Sequence, residues 1–99
     1  MAKDKSAAMS EIKSYVSEHG GTYSDWYVGI ASKPKDRLFN DHNVSEERGS
    51  WIWMRCTDSN VARAVEKYFL ALGMQGGSGG GDDDSDFVYA YKVTSTTKE

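Results

Sequence analysis

Tyr27-Val28-Gly29, then Arg37 eight positions after the glycine, then Glu66 in an amphipathic stretch, carry groups that could act together on a phosphodiester. A phenol can accept a proton. A guanidinium can balance the charge of a pentavalent phosphate, and a carboxylate can hold a divalent metal. Gly29 sharpens the pattern, because glycine inside a strand weakens it unless something approaches the backbone closely there. Singly, each residue also has an ordinary explanation. Tyrosine is common on strands, and an arginine on a helix is usually a solvated charge.

The elements that must position these groups follow from periodicity. Residues 4 to 18 predict a helix, with Met9, Ile12 and Val16 on one stripe and Gly20-Gly21 ending it. Residues 25 to 31 predict a strand on which Tyr27 and Gly29 share the face opposite Trp26, Val28 and Ile30. Pro34 suits a first helical position, so KDRLFNDH reads as a short helix. WIWMRC is a second strand, with Trp51, Trp53 and Arg55 on one face and Ile52, Met54 and Cys56 on the other. Thr57, Asp58 and Ser59 offer capping oxygens for a third helix, striped by Val61, Val65, Tyr68, Phe69 and Leu72. FVYAYKV, residues 87 to 93, is a third strand.

On that third helix Glu66 falls beside the apolar stripe, in the column of Ala62, Phe69 and Leu70. A carboxylate there is awkward unless it meets a partner or a metal. Pairing with Arg63 at i,i+3 spacing is the alternative. His42 closes the arginine helix, where it could stabilise the helix dipole. Trp51, Trp53 and Arg55 form a row that either stacks nucleic-acid bases or is core covered by a helix. No His/Cys spacing matches a zinc site.

A tyrosine-glycine strand, an arginine on the next helix and a glutamate on a later one resemble the second half of the GIY-YIG nuclease domain, over roughly residues 26 to 70. The resemblance implies a small α+β fold with a three-stranded, mainly antiparallel sheet flanked by three helices. It implies Tyr27 activating water, Arg37 stabilising the phosphate, His42 assisting proton transfer and Glu66 holding one Mg²⁺ or Mn²⁺ ion. The family's first tyrosine strand is absent ahead of Tyr27. Either that strand is missing or FVYAYKV supplies it, with Tyr89 or Tyr91 in place of the missing tyrosine, in a circularly permuted arrangement. FVYAYKV should then pair with the YVGIA strand. Tyr27, Arg37 and Glu66 should converge on one solvent-accessible surface. The other reading is a catalytically degenerate member that binds protein or nucleic acid.

Composition sets the bounds. Ninety-nine residues with twelve aromatics suffice for one domain and one core. Residues of about 75–86, rich in glycine and aspartate, read as a flexible connector, and residues of about 94–99 as a disordered tail. Net charge is −3, with four acids at Asp82, Asp83, Asp84 and Asp86, leaving 12 Lys and Arg against 11 acids elsewhere. That balance disfavours tight autonomous binding to duplex DNA, whose affinity comes largely from phosphate neutralisation. Weaker nucleic-acid binding, or a protein partner, stays open. The lone Cys56, no apolar run near the ~20 residues of a membrane span and no signal-like start point to the cytoplasm, with no membrane partner.

Overall fold

The computed structural model describes residues 2–76 and 85–97. The chain order is helix α1 (Lys5–His19), a 3₁₀ turn (Tyr23–Asp25), strand β1 (Trp26–Ala31), a π-helix (Asp36–Asp41), strand β2 (Trp51–Arg55), helix α2 (Ser59–Ala71) and strand β3 (Phe87–Lys92). The fold is α+β, with one antiparallel sheet ordered β1-β3-β2.

The last strand in sequence is therefore the central one. FVYAYKV pairs with the YVGIA strand as expected, Tyr27 opposite Tyr91 and Gly29 opposite Tyr89. On its other side β3 sets Tyr91 opposite Trp51 and Tyr89 opposite Trp53. Three rows thus cross one face of the sheet: Tyr27-Tyr91-Trp51, Gly29-Tyr89-Trp53 and Ala31-Phe87-Arg55. Alternation sends Val28, Ile30, Val88, Ala90 and Met54 to the opposite face. There they pack with Ala8, Ile12 and Val16 of α1 and Ala62, Val65 and Phe69 of α2. Fully burying each larger aliphatic side chain contributes about 1.5–3 kcal/mol, so this face is a major source of stability.

Both long helices start on an aspartate cap. Asp4 accepts from the Ala7 amide at 2.8 Å and Asp58 from the Val61 amide at 2.9 Å. β1 is an edge strand, and Gln75 covers part of that edge: the Val28 amide donates to the Gln75 carbonyl at 2.9 Å, and the Gln75 amide to the Trp26 carbonyl at 2.8 Å. At the other end of the glycine-aspartate stretch Ser85 is buried, and Asp86 Oδ2 pairs with Arg55 Nε at 2.9 Å. The interior of the expected connector, residues 77–84, lies outside the described residues, as do the last two of the tail. Thr94–Thr97 form a turn whose Thr96 carbonyl accepts from Asn43 Nδ2 at 2.8 Å. Among the described residues no helix is long and apolar enough to cross a membrane.

Candidate functional site

The second face of the sheet carries a smaller core of Tyr27, Ala31, Tyr89 and Tyr91, covered by Leu38 and Val44 with Phe39, Trp51 and Trp53 at its margin. The cover is the arginine helix, and its geometry is specific. The His42 amide donates to the Arg37 carbonyl at 2.9 Å, a step of five residues, so the turn is π rather than α. In an α-helix, side chains five residues apart point about 140° away from each other. The wider turn swings them toward one side, where His42 reaches Tyr89. Asn43 follows at φ +55°, a left-handed conformation that asparagine tolerates, and ends the helix.

Tyr89 is the hub. Its hydroxyl lies 2.8 Å from His42 Nε2, while Tyr91 hydroxyl lies 3.1 Å from His42 Nδ1. The Arg37 guanidinium stands near enough to the Tyr89 phenol to oppose the rise of its pKa. Taking the neutral imidazole with its proton on Nδ1, Nε2 accepts from the Tyr89 hydroxyl and Nδ1–H donates to Tyr91. Tyr27 completes the group, its ring stacked on Tyr91 at 5.2 Å and tilted against His42 at 4.7 Å.

Gly29 explains how the Tyr89 ring can lie across β1. A Cβ built at Gly29 would sit 2.5 Å from Tyr89 Oη and 2.6 Å from its Cζ. The backbone approach that a strand glycine signals is thus made by Tyr89 itself.

Electrostatics tie Glu66 to the same oxygen. Burial pushes the Tyr89 phenol up to about 12; Arg37 pulls it down, and the charges of Tyr27 and Glu66 push it further up. At neutral pH Tyr89 is a protonated phenol. Glu66 is half-buried on α2, and its carboxyl is raised by burial against the lowering pull of Arg63 and Lys67. Among the described residues it makes no ion pair within 4 Å, so its expected pairing with Arg63 is only a longer-range attraction. Arg37 Nε has no hydrogen bond among the described residues, and Asp41 Oδ2 stands 3.5 Å away.

Tyr27, His42, Tyr89 and Tyr91 gather in one neighbourhood with Arg37 beside it, whereas Glu66 stands on α2, which packs against the opposite face of the sheet, and acts on Tyr89 only as a weak charge effect. One expectation needs correcting: the convergence is not on an open surface. Tyr27, His42, Tyr89 and Tyr91 are at most 6% exposed, because Leu38 and the π-turn lie over them. Arg37 reaches the rim, and Glu66 is half-buried on α2. A cleft of about 370 Å³ opens beside Arg37, lined by Ala31, Ser32, Lys33, Asp36 and Ser85 among others. Sequence reasoning missed Ser85 and the π-turn. The first stands in a segment that composition assigns to a linker, and the second has no periodic signature in six residues.

Among the described residues no group of three or more His, Cys, Asp or Glu side chains is assembled that could hold a metal. Glu66 alone fits only an ion that keeps most of its waters, as Mg²⁺ does when one or two carboxylates and a substrate phosphate bind it. Compared with protein-family models, with curated proteins and with solved structures, the chain matches none of them.

Proposed function

We propose that this domain hydrolyses phosphodiester bonds, as a circularly permuted GIY-YIG-like nuclease domain. The observation that carries the reading is the environment of one oxygen. Tyr89 Oη has an imidazole nitrogen at 2.8 Å, and the charges of Arg37 and, more weakly, Glu66 act on the same phenol. The permutation is supported locally. The Val93 amide donates to the Asp25 carbonyl at 2.8 Å, so the end of β3 lies beside the start of β1, where a short hairpin turn could join them.

In this reading the scissile phosphate rests on Arg37, at the cleft by Ser32 and Lys33. Water attacks phosphorus and the bond to the leaving oxygen breaks, that oxygen departing with the bonding pair and taking a proton from solvent. Tyr89, in place of the Tyr27 that the resemblance implied, takes the water proton at its oxygen while its own passes to His42 Nε2, 2.8 Å away, and the imidazolium formed keeps its Nδ1–H on Tyr91. The phenol stays neutral throughout, consistent with its raised pKa. Arg37 stabilises the added negative charge. Glu66 would hold one Mg²⁺ or Mn²⁺ ion, which supplies Lewis-acid stabilisation of phosphate charge when bound.

A second reading rests on burial of the phenols. With Tyr27, Tyr89 and Tyr91 covered, the polar group could serve only to fix the core of a non-catalytic module that binds nucleic acid or protein. A divalent-metal titration followed by amide shifts separates the two. Hydrolysis predicts Mg²⁺-dependent shifts around Glu66 that vanish in Glu66→Ala. A flat titration with the fold intact favours the binding module.

A further inference from the structure

Trp53 is in register with Tyr89, one strand over on the same face, so their Cβ atoms are direct cross-strand neighbours. Its indole packs against Phe87 at 5.7 Å with the planes tilted by 56°. Together the two rings wall a pocket of about 290 Å³, closed by Lys33, Pro34, Lys35 and Asp36. Trp51 and Trp26 have their indole N–H groups satisfied, by the Glu46 and Gly20 carbonyls. Trp53 N–H has no hydrogen-bond partner among the described residues, and both Trp53 and Phe87 are half-buried rather than covered. Lys33 and Asp36 line this pocket and the cleft beside Arg37, so the two are contiguous.

Resting on the hydrolytic reading, we propose that the substrate is a single-stranded or unpaired nucleotide chain, with the base next to the scissile phosphate stacked in the Trp53–Phe87 pocket. A base offers an aromatic face only where it is unstacked from its neighbours. Duplex bases are covered on both faces. Lys33, Lys35 and Arg37 present three cations along five residues against Asp36, while Asp86 is already held by Arg55. Phosphates on either side of the stacked base therefore meet positive charge, on a chain whose overall charge suits no duplex binder. The indole N–H, without a partner among the described residues, can donate to a base carbonyl or a phosphate oxygen.

The test is binding in the absence of divalent metal, so that cleavage does not enter it. An oligothymidylate of about ten nucleotides and a hairpin duplex of equal charge are titrated at low salt, with amide and indole shifts recorded. The single strand should bind at least about tenfold more tightly, and shift the Trp53 indole N–H, Phe87 and Lys33. Trp53→Ala should weaken single-strand binding by about tenfold or more, and Trp53→Phe should restore much of it. Equal affinity for the two nucleic acids, absence of binding, or shifts that bypass Trp53 would overturn the proposal. If Trp53→Ala fails to fold, the wild-type shift map still decides. None of these outcomes bears on hydrolysis, which stands or falls on cleavage with metal.

Discussion

Tyr89 hydroxyl and His42 Nε2, 47 residues apart in the chain, meet at 2.8 Å in a buried hydrogen bond. His42 Nδ1 faces Tyr91 at 3.1 Å, so one imidazole bridges two residues of the central strand. The bridge exists because a π-turn aligns His42 with Arg37 and because Gly29 leaves room for the Tyr89 ring.

Removing the imidazole should cost more than removing either phenol oxygen. His42→Phe takes a hydrogen bond from each of two buried hydroxyls, whereas Tyr89→Phe takes one from the imidazole, and each such loss in a buried site costs about 1–3 kcal/mol. Urea melts of His42→Phe, Tyr89→Phe and the double variant should give strongly non-additive losses, the double costing less than the sum. Additive losses would mean the two side chains act independently.

Gly29→Ala should destabilise the domain by about 1–3 kcal/mol, as overpacking does, and displace the Tyr89 ring. Because the added methyl meets Cζ as well as the hydroxyl, Tyr89→Phe in that background should not restore stability. Rescue by Tyr89→Phe would mean that only the hydroxyl is crowded.

How much of this was legible in the sequence depends on the range of the cause. Period-two alternation in WYVGIA and FVYAYK announced which side chains share a face, and Asp58 announced its helix cap. Tyr27, Arg37 and Glu66 stood out by type and spacing. The π-turn did not, because it depends on what the helix packs against, and so the burial of the phenols was also hidden. Trp53 and Trp51 look equivalent in WIWMRC. Only the tertiary structure gives Trp51 a carbonyl partner and a Phe39 neighbour, and leaves Trp53 beside a pocket.

Phenol titration supplies a pH test. Tyr89 prefers to stay protonated in the folded state, up to about 12 against an ordinary value of 10. A group with a raised folded pKa contributes stability that is full below its unfolded pKa and lost as pH climbs to the folded one. Stability should therefore fall between about pH 10 and 12, and Tyr89→Phe should flatten that part of the profile. A tyrosinate absorbance step assigned to Tyr89 near its ordinary value would contradict the buried environment.

Cys56 should be inert in the native state. It is fully buried, and burial, with Asp86 and Asp58 adding to it, pushes its thiol up to about 11. Thiolate is the reactive form, so alkylation near neutral pH should proceed only through unfolding and should accelerate with urea. Rapid labelling of the folded protein would show that the β2–α2 junction opens.

The most direct test of the central claim is cleavage of single-stranded and duplex DNA and of RNA in Mg²⁺ or Mn²⁺, with product ends identified. The account predicts metal-dependent hydrolysis that falls by about 10²–10³-fold in Arg37→Ala and is lost with chelator, while the variant keeps its fold. An intact, well-folded domain that leaves all of these substrates uncut in either metal would contradict it.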